Sequence, residues 1–471
     1  MLKRKIEDVL LRWKQTPERK PLVLKGCRQC GKTFSVLKFA REQYANTVYI
    51  NFFQDPEYQK IFAGSLDVDH LIMMMSAAGV GAAFEPGKTV IVLDEIQECP
   101  EARTALKFFK LDGRFDVIAT GSLLGVAGYG KKPQSVPVGY EDIEQMYPLD
   151  FEEFLWAAGI GENLIGILKH CQEKEEQVPA ALHGRLRELL TQYAVVGGMP
   201  EVVEIFFKTR NMASVLGAQK SILASYTDDV CKYAPARNEK CIRDCFNSIP
   251  AQLAKTNPKF QYAQVRKGGR SSEFVGILQW MQDAGVIERC FNLVLPELPL
   301  SGNADLSNFR VYLSDPGLFA AMLGEGTQFD ILSGQLFGYK GPIFENLVAG
   351  MLAKTGRRLY FFEKQQNRLE VDFVIKWKGR TALVEAKASQ GKTRSTTTIL
   401  RHPEKYHVEQ AIKLGDYQIG RSGNILTLPM YMTFLLKVDQ PDVLPVSEAE
   451  QLFRSELKNL TAQAERLKTE V

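Results

Sequence analysis

The stretch Gly26, Cys27, Arg28, Gln29, Cys30, Gly31, Lys32, Thr33 reads glycine, four intervening positions, glycine, lysine and a hydroxyl residue. Glycines at both ends let the backbone curl until its N–H groups face phosphate oxygens, and a helix opening at Lys32 adds positive potential. Lys32 then reaches the terminal phosphates, and Thr33 is placed to ligate magnesium. The apolar PLVLK before the loop and KTFSVLKFARE after it supply the strand and helix that such a loop requires. Cys27 and Cys30 also form a Cys-x-x-Cys pair, but no second pair follows at the spacing of a zinc site. They read as loop residues, with sensitivity to oxidation as the alternative.

Two further strands end in side chains of complementary chemistry. TVIVLDEIQ carries Asp94 and Glu95 just beyond four consecutive apolar residues, where a buried parallel strand emerges. Asp94 is expected to hold magnesium through water and Glu95 to orient or deprotonate the attacking water. FDVIATGSLLG ends in Thr120, Gly121 and Ser122. A hydroxyl there can contact the terminal phosphate or the water, with Thr120 the first choice and Ser122 the second. Arg28 and Arg114 are candidate charge stabilisers, although surface solvation suits either.

A second cluster lies near the C-terminus, in LEVDFVIKWKGRTALVEAKA (369–388). If Lys378 and Gly379 form a two-residue turn, Phe373 faces Val384, Ile375 faces Ala382 and Val371 faces Ala386, giving one wholly apolar surface. On the other surface Asp372 falls opposite Glu385, and Glu370 opposite Lys387. Like charges directly opposed are unfavourable unless neutralised, and a divalent cation would do that. A one-residue slip would reverse the faces.

These residues need a frame. Through about residue 150, strands alternate with helical patterns, which implies a parallel sheet covered by helices with phosphate chemistry at the strands' C-terminal ends. Residues 156–235 read as amphipathic helices, broken at Gly197, Gly198 and Pro200. Residues 236–322 read as helices followed by strands, as in a winged helix. Within them KTNPKFQYAQVRKGGRSS carries Lys255, Lys259, Arg266, Lys267 and Arg270, the aromatics Phe260 and Tyr262, and no acid. That composition suits phosphate contacts from DNA or another nucleic acid, and equally a solvated loop. Cys241 and Cys245 share a helix face and are expected to be buried thiols.

The chain has 471 residues, 45% of them apolar, enough for several cores. Its net charge of +4, from 59 basic and 55 acidic side chains, is too slight to mark a nucleic-acid binder by itself. MLKRKIEDVLLRWKQ lacks the pattern of a signal peptide, and LIMMMSAAGVGAAF is too short to span a bilayer, so a cytoplasmic protein with reduced thiols and no membrane partner is expected. His70, His170, His183, His402 and His407 are too scattered to suggest a ligand set. Leu452, Phe453, Leu457, Leu460 and Leu467 form a helical stripe within 441–471, suited to packing or self-association. Oligomeric state is left open.

GCRQCGKT, IVLDEIQE, IATGSLLG, MYPLDFEEFLWA (146–157) and VVGGMPEVV (195–203) together resemble bacterial ATPases of the AAA+ type that carry a C-terminal domain of unknown function. The resemblance implies ATP and Mg2+ as ligands and a lid role for 156–235. Relatives often place a basic residue after the glycine that precedes MYPLDFEEF, where this chain has Gly139 then Tyr140. Asp372 followed by Glu385-x-Lys387 on the next strand resembles the PD-(D/E)XK nuclease superfamily, and the helix GPIFENLVAGMLAK then offers Glu345 as the preceding acid. That resemblance implies magnesium on Glu345, Asp372 and Glu385, with Lys387 helping to activate water. The fold expected is therefore α/β: a P-loop core at 1–155, a helical lid at 156–235, a winged-helix-like part at 236–322, a PD-(D/E)XK-like domain at 323–440 and a terminal helix at 441–471. Two functional classes follow, an ATPase driving a nucleic-acid-associated or nuclease-like domain, and a regulatory ATPase whose inactive C-terminal domain scaffolds a protein partner.

Overall fold

In β1 (Leu22–Gly26), β3 (Thr89–Asp94) and β4 (Asp116–Ser122), alternate side chains go to two different cores. Leu22, Leu24, Val90, Val92 and Ile118 pack on one face with Leu10, Trp13, Val36 and Phe39. Val23, Ile91, Leu93, Val117 and Ala119 pack on the other with Leu71, Met75, Leu106 and Phe109. Such two-sided burial is what makes a parallel strand read as a continuous apolar run. With β2 (Asn46–Asn51) and β5 (Asp142–Met146) these strands form a parallel sheet in the order β2-β3-β4-β1-β5. Helices Lys5–Gln15 and Lys32–Gln43 cover one face, and Val68–Ala77 and Pro100–Asp112 the other. The computed structural model describes residues 2–81, 83–122, 139–233, 239–255, 258–268, 271–324, 326–335, 340–364, 368–387 and 393–438.

Five helices follow, from Phe151–Ala157 to Met212–Tyr233. Helices Glu239–Leu253, Tyr262–Val265 and Ser271–Asp283 then lead into β6 (Ile287–Leu293) and β7 (Ala304–Leu313), an antiparallel pair with a bulge at Phe291/Asn292. The boundary expected at 322/323 is crossed by a sheet: β6 also pairs in parallel with β8 (Leu359–Lys364), which pairs with β9 (Leu369–Val371). A last sheet runs β10-β11-β12-β14-β13, from Phe373–Trp377 and Arg380–Ala386 to Gln410–Gly415, Ile425–Pro429 and Gly420–Ser422. Helix Lys340–Ala353 is buried from Asn346 to Ala353 and packs among β6, β7, β8 and β11. Met1–Lys437 is one compact unit; of the second, Val438–Val471, only Val438 is described, so the expected stripe from Leu452 to Leu467 lies outside the described residues.

Two stretches whose chemistry sequence alone does not disclose meet beneath the phosphate loop. In MYPLDFEEF, Asp150 caps helix Phe151–Ala157 and Glu153 bonds back to the Asp150 amide, a reciprocal capping box. Glu153 also accepts from the Arg4 Nε at 3.0 Å, while Arg4 Nη1 and Nη2 donate to the carbonyls of Cys30 (2.9 Å) and Tyr147 (2.7 Å). In VVGGMPEVV, the Gly198 carbonyl accepts from Leu149 N and its own amide donates to Asp315, each at 2.7 Å. A Cβ on Gly198 would lie 1.9 Å from the Leu149 carbonyl oxygen, so only glycine fits. From the C-terminal part, Lys354 Nζ donates to the Leu149 carbonyl (3.2 Å) and the Tyr193 hydroxyl (3.0 Å). Burial pushes the Glu288 carboxyl up to about 7, against the pull of Lys354 and Ser314.

Arg4→Ala leaves a buried carboxylate without its cation, and we expect it to lower the unfolding free energy by about 3–5 kcal/mol; a loss under about 1 kcal/mol in denaturant titration would class the pair as a surface contact. Because its folded pKa is raised, Glu288 contributes stability that is complete below its ordinary value of 4.5 and is lost as pH rises through about 7. Glu288→Gln, which keeps the neutral form, should therefore raise the melting midpoint above pH 7 and leave it little changed near pH 4.5. Equal shifts at both pH values would refute that assignment.

Candidate functional site

β1 delivers the chain to Gly26, where a Cβ would come within 2.4 Å of the Met146 carbonyl oxygen, and the loop then passes Gln29 at φ 62° and Gly31 at φ 97°. These left-handed turns, permissive for glycine and strained for glutamine, bend the loop into the first turn of helix Lys32–Gln43. Lys32 is 8% exposed, and its ammonium donates to the carbonyls of Gly26 (3.1 Å) and Cys27 (2.9 Å). Arg28 and Gln29 are exposed on the same loop. Ser225 and Tyr226 of helix Met212–Tyr233 touch it, Tyr226 donating to the Arg28 carbonyl at 3.1 Å and Gln29 donating to Ser225 at 3.4 Å.

Since β4 lies between β1 and β3, the ends of these three strands converge on Asp94, which is 2% exposed. Its carboxylate accepts from Thr33 Oγ1 (3.0 and 3.1 Å), Tyr49 (2.8 Å), Asn51 (3.0 Å) and Thr120. All four donors are neutral, and among the described residues Asp94 forms no ion pair. A buried carboxylate so placed has hydrogen bonds but no opposite charge, and an oxygen-liganded dication beside Thr33 fits that deficit. Burial, with Asp94 and Glu95 nearby, pushes the Tyr49 phenol up to about 12, so it stays a donor. Glu95, with φ 55°, takes the strand out of its alternation, and Gln97 donates to its carboxylate. A left-handed glutamate costs of the order of 1–3 kcal/mol, the strain found where a functional side chain must be aimed.

The fold brings Thr33, Asp94, Glu95 and Thr120 to one strand end, as their spacing leads one to expect. The Ser122 side chain lies outside the described residues. Arg114 is elsewhere: it precedes β4, at the opposite end of the strand from Thr120, and is paired with Asp112 and Asp69. Arg4 was not signalled by sequence, since nothing in KRKIED distinguishes the buried basic residue from the exposed Lys3.

The C-terminal hairpin has the expected register where it is a hairpin: Phe373 faces Val384, Ile375 faces Ala382, and Lys378 and Gly379 both have positive φ, as a tight mirror-image turn requires. It is shorter than expected. The strand breaks at Asp372, and residues 369–371 join β8 in the other sheet, so Glu370 pairs with Glu363 rather than Lys387, and Val371 with Phe362 rather than Ala386. Asp372 does not stand across a ladder from Glu385; its Oδ2 accepts the Ala386 amide at 2.8 Å.

The four polar residues nevertheless converge. Lys387 Nζ is 2.5 Å from Glu385 and 3.9 Å from Asp372. Glu345 accepts from Arg310 Nη1 at 2.9 Å and from the Tyr312 hydroxyl, and the same guanidinium, 1% exposed, reaches Glu370 at 2.6 Å. Burial, then Glu345, pushes the Asp372 carboxyl up to about 7, with Lys387 and Arg310 opposing and Glu385 adding. Among the described residues no three histidine, cysteine or acidic side chains are arranged to hold a metal, and here Lys387 and Arg310 stand among the acids. Lys387 also lines a cavity of about 620 Å³ with His183, Arg187, Lys340, Phe344 and Tyr431.

In the basic stretch 255–270 the two aromatics are turned to packing. Phe260 is buried and stacks on Phe309, and Tyr262 stacks on Phe274. Arg266 and Lys267 are exposed, whereas Gly269 and Arg270 lie outside the described residues. Cys245 is buried as expected, and Cys241 only partly so.

Residues 18–155 match an AAA domain, 187–328 a domain of unknown function (DUF8612), and 340–431 a second domain of unknown function (DUF4143). No curated protein matches the chain. Solved structures similar to it include a Walker-type ATPase of Pyrococcus abyssi (13% identity, 69% of this chain and 96% of that one, TM-score 0.40). Others are the ORC2 protein of Aeropyrum pernix in its ADPNP–ADP complexes (12%, 70% and 94%, 0.34) and AMPPCP-bound DnaA of Aquifex aeolicus (9%, 58% and 85%, 0.25). No helix among the described residues is long and apolar enough to cross a membrane. The match over 18–155 takes in all five strands of the parallel sheet and the Gly26–Thr33 loop, so this part of the chain is similar to AAA domains.

Proposed function

We propose that the chain is a magnesium-dependent ATPase whose nucleotide state is passed to a nucleic-acid-associated C-terminal domain of PD-(D/E)XK-like fold. The observation that carries the ATPase reading is Asp94, a buried carboxylate with only neutral donors, set between Thr33 and Thr120 with Glu95 beside it. Thr33 and Asp94 would hold Mg2+, which when bound neutralises phosphate charge. Lys32 leaves the Gly26 and Cys27 carbonyls for the terminal phosphates. Glu95 orients the attacking water and takes its proton, and Thr120 reports the presence of the terminal phosphate to Asp94.

Contacts of Ser225 and Tyr226 with the phosphate loop support a lid role for 156–235. Three helices followed by the β6–β7 pair support a winged-helix arrangement at 236–322, although that pair is shared with the C-terminal sheet. Glu345 on a helix, Asp372 at a strand break, Glu385 near the end of the next strand and Lys387 just beyond it support the PD-(D/E)XK-like reading of 323–440. A second reading, in which this domain is an inactive scaffold for a protein partner, is favoured by Arg310, whose buried guanidinium occupies Glu345.

Lys32→Ala should abolish ATP binding, and Glu95→Gln should bind ATP and lose turnover by a factor of about 100 or more; hydrolysis retained in both variants would defeat the site assignment. For the C-terminal domain, incubation with DNA and RNA in Mg2+ should give nicking that is lost in Asp372→Ala and Lys387→Ala while ATP turnover persists. No nicking of any substrate, together with a stable protein complex, decides for the scaffold.

A further inference from the structure

The Cys27–Cys30 pair takes no part in the chemistry above, yet its setting differs from that of an ordinary buried thiol. Strand β1 ends, the two cysteines follow three residues apart, and helix Lys32–Gln43 begins, so Cys30 sits at a helix N-terminus. Both are shut in, at 3% and 0% exposure. The left-handed residue Gln29 folds the turn so that the Cys27 and Cys30 side chains act on one another. As a thiol, Cys30 donates to the Met146 carbonyl oxygen at 3.6 Å, a bond it gives up on ionising.

The surroundings are positive. Lys32 and Arg4 both act on Cys30, and Arg4 holds the Cys30 carbonyl at 2.9 Å. The hydrogen bond from Cys27, with these cations, pulls the Cys30 thiol down to about 6 against its burial, while that same bond and burial push Cys27 well up. One sulfur is thus the nucleophile and the other keeps the proton. Around Cys245 the neighbouring charge is of the other sign: burial, Cys241 and Asp244 all push it up.

We propose that Cys27 and Cys30 form a redox-active dithiol that a small peroxide oxidises to a disulfide, and that the disulfide closes the loop to nucleotide; the second half rests on the Gly26–Thr33 loop being the ATP site. The Cys30 thiolate attacks one peroxide oxygen, the O–O bond breaks, and the departing hydroxide takes up a proton to become water. The Cys27 sulfur then attacks the Cys30 sulfenic sulfur, releasing its own proton, and the second oxygen leaves as water. Two thiols are oxidised and one hydrogen peroxide is reduced to two waters. Enclosure of both sulfurs selects a neutral oxidant near the size of water over a bulky disulfide.

Closure follows from geometry. A disulfide needs sulfurs about 2.05 Å apart with Cβ atoms near 3.8 Å, closer than hydrogen-bonded thiols. Drawing the residues together turns the peptide N–H groups between them, the ones that must converge on phosphate. It also moves the Cys27 and Cys30 carbonyls, which hold Lys32 and Arg4.

The test uses the full chain and Mg–ATP, with and without hydrogen peroxide. Peptide mass mapping should show Cys27 joined to Cys30, with a weakening of Mg–ATP affinity by roughly tenfold or more that dithiothreitol reverses. Cys27→Ser and Cys30→Ser, whatever affinity each retains, should show the same value before and after peroxide, and Cys245→Ser should keep the full response. Failure to find the 27–30 linkage after peroxide overturns the proposal, as does a linkage that leaves affinity unchanged. A reduced protein that does not bind Mg–ATP overturns the ATP reading and the closure with it, while the mass map still decides the redox half.

Discussion

A guanidinium held out of water beneath the phosphate loop is the constraint on which this structure turns. Arg4 donates in three directions, to the loop at Cys30, to Tyr147 after β5 and to Glu153 on the next helix. Each partner comes from a different segment, so the loop's position is set by the start of the helical region as much as by its own strand. Burying such a pair is costly in desolvation, and its merit lies in geometry: five donors in a fixed plane define where three segments meet. The reciprocal cap between Asp150 and Glu153 then fixes the carboxylate that Arg4 requires.

From that point the connection runs on. Leu149, between Tyr147 and Asp150, is bonded to Gly198 and to Lys354, and Lys354 follows the helix that carries Glu345. Lys354 acts on Glu288 of β6, and on the same strand Cys290 lies in the field of Arg310, Glu345 and Asp372. The phosphate loop is therefore connected to the helix and strand of the acidic cluster through Arg4, Leu149 and Lys354. Bodies joined by hydrogen-bonded, well-packed elements move by discrete repacking, not by independent tumbling.

Sequence disclosed what local chemistry dictates. The glycine-lysine-threonine loop, the acid pair after TVIVL and the register of Phe373 with Val384 are legible because backbone curvature, strand period and turn type each leave residue-level signatures. Arg4 leaves none, since a buried arginine in KRKIED reads like its exposed neighbours until Glu153 is folded against it. The break at Asp372 is hidden for a related reason. An apolar alternation through LEVDFVIKW is equally satisfied by one long strand or by two short ones in different sheets, and only the competing partner β8 decides. Phe260 and Tyr262 show the converse hazard, aromatics in a basic stretch that serve a core.

The break at Asp372 also bears on what the acidic cluster is for. Where a strand leaves one sheet for another, peptide groups lose their ladder partners, and the Asp372 carboxylate supplies one for the Ala386 amide. An asparagine would do as much, so the hydrogen bond explains a polar residue but not a charge. Glu345, Glu370 and Glu385 add to that charge, and among the described residues Arg310 and Lys387 are ion-paired with them. Structural need thus accounts for a polar residue at the break, and burial, with the crowding of acids around it, is what pushes the Asp372 carboxyl up to about 7.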